Sequence, residues 1–261
     1  MNSEEPLQIR SHGPAGAPAL IYLPGTHGDW TLSASLRRAL GDRVRFVEFT
    51  YPRTTTWSLE DYAQAVDGAL LGHGVTRGWL LGESFSSQVC WQMLASPARK
   101  FQTEGVILAG GFVRYPVMGA LCLARRLVSR LRLSKVNFGL RAYRIYALLR
   151  HWNSPEVRVM LDEFMAWRTD EDRRAAARRL DLIEWNDLRP VARAVRVPVY
   201  CLTGFIDPIV PWPFVHPWLR KNCPGFREWK ISWGRRPQRA EHVAGSFGGD
   251  DSALDENVAP K

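Results

Sequence analysis

Short, wholly apolar runs alternate along this chain with longer stretches in which apolar residues recur every three or four positions. Ala19-Leu20-Ile21-Tyr22-Leu23 is apolar throughout and stops at Pro24-Gly25, which predicts a buried strand. Val44-Arg45-Phe46-Val47-Glu48-Phe49 predicts the next strand, and Ser58 to Leu71 has the spacing of a helix, with Ser58 as N-cap and Asp61 three residues on. Gly78-Trp79-Leu80-Leu81 predicts another strand, which breaks at Gly82-Glu83-Ser84-Phe85-Ser86 before a helix running to about Leu94. Val106-Ile107-Leu108-Ala109 and Val197-Pro198-Val199-Tyr200-Cys201-Leu202 read as two more strands, each closed by a glycine-containing turn, and Glu228 to Trp233 as the last. Strands alternating with helices predict an α/β fold, a mainly parallel sheet with helices on both faces.

Residues 112–185 interrupt the rhythm. They hold no good strand and read as several Arg-rich helices, with Asn153-Ser154-Pro155-Glu156 as one helix start. An insertion between two core strands is a natural helical cap, so the predicted organisation is a core of residues 1–111 and 186–261 with a cap at 112–185. The Gly- and Asp-rich tail from Gly245 onward is expected to be mobile, at least beyond Asp250.

Charge changes the picture of the cap. The 261-residue chain has a net charge of +9, and residues 114–180 alone carry fifteen Lys and Arg against six Asp and Glu. The plain reading is a solvated helical surface; the sharper one is attraction to an anionic membrane surface or an acidic substrate. The sequence has no apolar run near the roughly 18 residues a membrane span needs, and its acidic, polar opening, Met1 to Pro6, is not expected to act as a secretory signal. Four scattered cysteines fit a reducing, cytoplasmic setting, peripheral to a membrane if the basic segment binds one.

The chemistry concentrates where the Gly78–Leu81 strand breaks. A serine on a sharp strand-to-helix turn, with small residues two positions either side, is a nucleophile held where a substrate can reach it. Ser84 occupies that position, with Ser86 where the G-x-S-x-G pattern has its second glycine. A serine hydroxyl needs a base, and the base needs an orienting carboxylate. Of six histidines, His151, His216 and His242 follow Ser84. His242 lies in a loop past the last predicted strand and is the expected base. Asp207, just after a buried strand and a glycine, is the expected acid, with Glu184 and Asp187 as weaker rivals. The developing oxyanion needs two N–H donors. Phe85, which follows the nucleophile, and Thr26, in the Gly-containing loop after the Ala19–Leu23 strand, are the candidates. His27 and Trp212 are candidates to line the substrate pocket.

Nucleotide binding is disfavoured: Pro24 to Gly28 lacks the Gly-Lys-Ser/Thr ending of a P-loop and the Gly-x-Gly-x-x-Gly fingerprint. No His, Cys and Asp grouping has metal-ligand spacing, so neither cofactor nor metal is expected. Four motifs then stand in a consistent order: Leu23-Pro24-Gly25-Thr26, Gly82-Glu83-Ser84-Phe85-Ser86, Gly204-Phe205-Ile206-Asp207-Pro208 and Glu241-His242. Together they resemble the α/β-hydrolase superfamily over residues 18 to 245, with the cap the least alike. The resemblance implies a serine hydrolase acting on small acyl substrates, carboxylic esters or thioesters, through a Ser84–Asp207–His242 triad. Other chemistry on the same triad, such as C–C or amide hydrolysis or acyl transfer, stands as the first alternative. A non-catalytic relative that binds an acidic partner or membrane surface through the basic cap is the second.

Overall fold

A computed structural model describes residues 6–130, 168–202 and 210–228. Its centre is a seven-stranded sheet: β1 (Gln8–His12), β2 (Ala19–Leu23), β3 (Arg45–Thr50), β4 (Arg77–Glu83), β5 (Gln102–Ala109), β6 (Val199–Leu202) and β7 (Phe226–Arg227). In space the order is β1-β3-β2-β4-β5-β6-β7. All neighbours pair parallel except β1, which runs antiparallel to β3.

The apolar runs form strands because both of their faces are covered. All five residues of β2 are buried. Ala19, Ile21 and Leu23 join one core cluster with Leu80, Val106 and Leu108, while Leu20 and Tyr22 join a second with Phe46, Leu81 and Ile107. Alternate residues of a strand face opposite ways, so the two clusters are the two faces of the sheet. The smaller one is covered by α1 (Ala34–Leu40), which contributes Leu40 and Leu36. The larger receives α2 (Leu59–Gly72), α3 (Ser86–Ala95), α4 (Met118–Arg130), α5 (Asp170–Trp185), α6 (Arg189–Ala194) and α7 (Trp212–Asn222). The predicted α/β fold with helices on both faces is the observed one.

Local signals explain where these helices begin. The Ser58 side chain accepts the Asp61 N–H while the Asp61 carboxylate accepts the Ser58 N–H, a reciprocal cap on α2. Thr169 and Asp172 repeat the device at α5. The stretch 112–185 has two helices and no strand among its described residues; Leu121 of α4 and Leu182 and Ile183 of α5 reach the larger core cluster. The expected helix start at 153–156 and the tail beyond Gly245 lie outside the described residues. The expected last strand over 228–233 lies outside them from residue 229 onward, and the described strand before it, β7, has two residues.

One topological feature positions the site. From β2 the chain moves to β3 on one side, and from β3 it crosses to β4 on the other. The loops leaving β2 and β4 therefore diverge at the carboxyl edge of the sheet, and such a reversal opens the crevice in which ligands bind in open α/β sheets. Pairing of Leu23 with Gly82 brings residues 24–28 beside residues 83–86.

Candidate active site

The elbow is built by a close approach of helix to strand. A Cβ on Gly82 would stand 2.7 Å from Cys90 Sγ and 2.8 Å from the Ser86 carbonyl oxygen, so any side chain there would push α3 off the end of β4. Ser84 then takes a left-handed backbone conformation, φ +47°, the one positive φ of a non-glycine among the described residues. That conformation costs an L-residue about 1–2 kcal/mol, and hydrogen bonds on both sides hold it. Ser84 N–H donates to the Ala109 carbonyl at 2.9 Å. The Ser84 carbonyl accepts from Ser87 N–H at 3.0 Å and from Ser87 Oγ at 2.7 Å. Ser87 Oγ in turn accepts Phe112 N–H at 3.1 Å. Ser84 is left half-buried between a preceding strand and a helix whose first residues are buried.

The departure from the usual elbow pattern has a structural use. Ser86 is buried, and its hydroxyl donates to the Pro24 carbonyl of the neighbouring loop. Having given its proton there, Ser86 Oγ accepts from the Tyr51 hydroxyl at 2.6 Å. Burial pushes the Tyr51 phenol well above its ordinary range and keeps it neutral. A glycine at 86 would make neither bond, so Ser86 stitches the elbow to the loop after β2.

That loop folds as a tight turn. Gly28 N–H donates to the Gly25 carbonyl at 3.0 Å, with Thr26 and His27 between them and Gly28 itself at φ +85°. With no positive φ at Thr26 or His27, the turn is of type I, which favours glycine at its fourth position. The remaining carbonyls are also taken. Thr26 O accepts from Arg179 Nη1 at 2.9 Å, His27 O from Arg168 Nη1 at 3.4 Å, Gly28 O from Tyr51 N–H at 2.8 Å, and Asp29 O lies 2.9 Å from His27 Nε2. The Thr26 N–H and the Phe85 N–H have no acceptor among the described residues. Two open donors on adjacent loops, one on each side of the strand reversal, suit an oxygen that gains negative charge.

Other groups tune this neighbourhood. Glu83 accepts the Tyr22 hydroxyl, and its Oε1 would lie 3.3 Å from a Cβ on Gly25. Burial first, and the Glu83 charge second, push the Tyr22 phenol well above its ordinary value. Burial works against ionisation of Asp29, but the charges of His27 and Arg168 and the Thr31 N–H outweigh it and hold its carboxyl low.

Of the residues expected at the site, Ser84, Phe85, Thr26 and His27 come together at the carboxyl edge between β2 and β4. Asp207 and His242 lie outside the described residues. Trp212 opens α7, and its side chain is not among the described ones. The rival acids are engaged elsewhere: Glu184 pairs with Arg125 and accepts the Cys122 thiol, and Asp187 lies well below the usual carboxylate range through hydrogen bonds from Arg189 and Arg114. His216 packs edge-on against Phe226, with ring centres 5.1 Å apart. Sequence reasoning missed Ser86, Tyr51 and Arg179 as parts of the site. A signal for Arg179 existed: with Ala175 and Leu182 it falls at the four- and three-residue spacing of a buried helical face.

Two further features bear on ligands. After β5, a cavity of about 240 Å³ is lined mainly by apolar side chains, Val113, Met118, Phe214, Val215 and Trp218 among them, together with Arg114 and Arg189. Among the described residues no three His, Cys, Asp or Glu side chains are grouped to hold a metal ion, and no helix is long and apolar enough to cross a membrane.

No family model matches this sequence, and no curated protein matches it. Solved structures do match its fold. A hydrolase from Pseudomonas aeruginosa PA01 superposes with a TM-score of 0.70 at 17% identity, covering 86% of this chain and 85% of its own. The enol-lactonase from Burkholderia xenovorans LB400 gives a TM-score of 0.70 at 20% identity over 94% of this chain and 95% of its own. A thermophilic esterase from Thermogutta terrifontis gives 0.67 at 20% identity over 85% and 82%. With its strand reversal, left-handed serine and elbow between β4 and α3, the chain has the α/β-hydrolase fold.

Proposed function

We propose that this protein is a serine hydrolase that cleaves carboxylic esters or thioesters through an acyl-enzyme. The observation that carries the reading is Ser84: a non-glycine residue held at φ +47° at the carboxyl end of a central strand, with an open N–H on the next residue, Phe85, and another on the neighbouring loop, at Thr26. Backbone strain kept in place by surrounding hydrogen bonds is a mark of functional sites.

In the proposed reaction Ser84 Oγ attacks the acyl carbonyl carbon while His242 Nε2 takes the hydroxyl proton. The carbonyl π electrons move to oxygen, and the N–H groups of Thr26 and Phe85 stabilise that oxyanion. Collapse of the tetrahedral intermediate breaks the bond to the alkoxide or thiolate, which receives the proton from His242. Water, deprotonated by the same histidine, then releases the acid and restores Ser84. Asp207 orients His242 and stabilises its imidazolium. The mainly apolar cavity after β5 suits an apolar acyl group, and the fold neighbours include a protein named an esterase and one named an enol-lactonase.

Labelling with a fluorophosphonate probe tests the reading. Wild type should label, and Ser84→Ala and His242→Ala should not. A folded wild type that neither labels nor turns over small esters, thioesters or amides would rule it out.

A second reading is favoured by α4. Leu123 and Leu127 are 57% and 45% exposed one turn apart, close in sequence to Arg126 and Arg130. An exposed apolar stripe beside basic residues suits an anionic lipid surface. Binding to phosphatidylserine vesicles that survives Ser84→Ala, without turnover by wild type, would make this a binding protein instead.

A further inference from the structure

We infer that Arg179, on α5, is a positioning residue for the oxyanion loop, fixing the turn 25–28 so that the Thr26 N–H points at the reacting oxygen. This rests on the serine hydrolase reading above. Arg179 is 1% exposed and donates three times: Nη1 to the Thr26 carbonyl at 2.9 Å, Nη2 to the Pro52 carbonyl at 3.1 Å and Nε to the Tyr62 hydroxyl at 3.3 Å. Its guanidinium also lies 5.6 Å from the centre of the Tyr51 ring. Among the described residues it pairs with no carboxylate, so its charge is met by carbonyl dipoles and an aromatic face. A buried cation costs several kcal/mol in desolvation, and neutral partners offset this only when their geometry is good.

The consequence for Thr26 follows from peptide planarity. Each peptide plane carries a C=O and an N–H pointing in opposite directions. The plane before Thr26 is pinned because the Gly25 carbonyl accepts Gly28 N–H across the turn. This turns the Thr26 N–H outward. The plane after Thr26 is pinned because its carbonyl accepts from Arg179. One residue earlier, the Pro24 carbonyl is held by Ser86 of the elbow. With the planes on both sides fixed, φ and ψ of Thr26 have no freedom left, and its N–H stands open without rearrangement. Preorganised donors of this kind cost nothing to reorient when charge develops.

The turn and the arginine also fit each other sterically. A Cβ on Gly28 would lie 2.3 Å from Arg179 Nη1 and 2.6 Å from Cζ, so position 28 must be glycine for the guanidinium to enter as well as for its own φ. The α5 region grips the loop a second time through Arg168, whose Nη2 lies 2.7 Å from the Asp29 carboxylate.

The test measures kcat and KM on a p-nitrophenyl ester, per fluorophosphonate-titrated active site, in folded variants. Thr26→Pro deletes the N–H at a turn position that accepts proline, and should lower kcat by about 10²- to 10³-fold. Arg179→Lys keeps the charge but loses the three-way grip, and should lower kcat by roughly 10- to 100-fold with KM unchanged, a fraction of the cost of losing the donor outright. In the Thr26→Pro background Arg179→Lys should have no further effect. Should Arg179→Lys not fold, Tyr62→Phe leaves the guanidinium in place and removes one of its anchors. It should lower kcat by about 2- to 5-fold, the loss of a modest hydrogen bond, again only when the Thr26 N–H is present. Equal losses in both backgrounds, a change confined to KM, or an unchanged kcat in a turning-over protein would overturn the positioning role. A wild type without labelling or turnover would overturn the hydrolase reading itself, and this role with it.

Discussion

Glu48 and Arg179 are both buried charges, 0% and 1% exposed, yet the molecule accommodates them in opposite ways. Glu48, on β3, lies among counter-charges, Arg10 at 2.9 Å and Arg37 at 2.6 Å, with the Ser33 hydroxyl as a further donor and His12 Nε2 at 3.0 Å. Arg179, beside the strand reversal, lies among carbonyl dipoles of two loops, Thr26 after β2 and Pro52 after β3. An ion cluster tolerates small movements, because Coulomb attraction varies slowly with distance and direction. A fork of N–H donors to separate carbonyls does not, because hydrogen bonds weaken steeply with angle. One arrangement secures the rim of the sheet; the other specifies the shape of a turn.

The sharpest way to separate the two regions is by activity. Ser84→Ala should lower kcat by about 10⁴- to 10⁶-fold and leave the fold intact by circular dichroism. Glu48→Ala should do the reverse: a loss of about 2–3 kcal/mol in urea unfolding, at the lower end for broken buried pairs because Arg10 and Arg37 keep some contact with water, with kcat per active site unchanged. A large kcat loss in Glu48→Ala would dissolve the distinction.

The pH dependence sharpens it further. Burial opposes ionisation of Glu48, but Ser33, Arg37 and Arg10 outweigh it and hold its carboxyl below the ordinary 4.5. Asp29 is likewise held below its ordinary 3.8. A carboxyl whose folded value is lowered contributes stability that is full above the unfolded value and lost as pH falls through the folded one. Wild-type stability should therefore decline as pH falls below about 4.5, and Glu48→Gln should show a flatter decline in urea unfolding followed over that acid range.

Smaller effects probe the stitching between elbow and loop. Ser86→Ala leaves the Tyr51 hydroxyl and the Pro24 carbonyl each short of a partner, and should cost about 1–2 kcal/mol of stability with a kcat loss well below that of Ser84→Ala. Smallest of all, Ser84→Gly should be more stable than Ser84→Ala by about 0.5–1 kcal/mol, since glycine enters the left-handed region without a Cβ clash but gives up more chain entropy. A less stable glycine variant would mean the elbow is not strained at Ser84.

How much of this was legible in the sequence depended on burial. β2, β4 and β5 announced themselves as continuous apolar runs because both faces are covered, and the Ser58 cap was readable from two side chains. The elbow was readable because its constraint is local: Gly82 must be small for α3 to return over β4. β1 left no such trace, since Gln8, Arg10 and His12 make it a half-exposed polar strand whose partner is distant in sequence. Arg179 was hidden in plain composition. Arg173, Arg174 and Arg178 share its run, and nothing in a count separates the one that turns inward. What the loop after β2 requires of Arg179 is set by contacts 127 and 153 residues apart, to Pro52 and Thr26.

The one antiparallel strand among the described residues has a consequence beyond the ion cluster it carries. A sheet that ended on β3, with Phe46, Val47 and Phe49, would present a long apolar edge to which another chain could add strand upon strand. β1 closes that edge with Gln8, Arg10, Ser11 and His12, and its hydrophilic side chains make a rim that is costly to cover. The same five residues that lend Glu48 one of its two arginines thus also protect the protein colloidally, ending the sheet on a polar rim where fibrillar growth would otherwise begin.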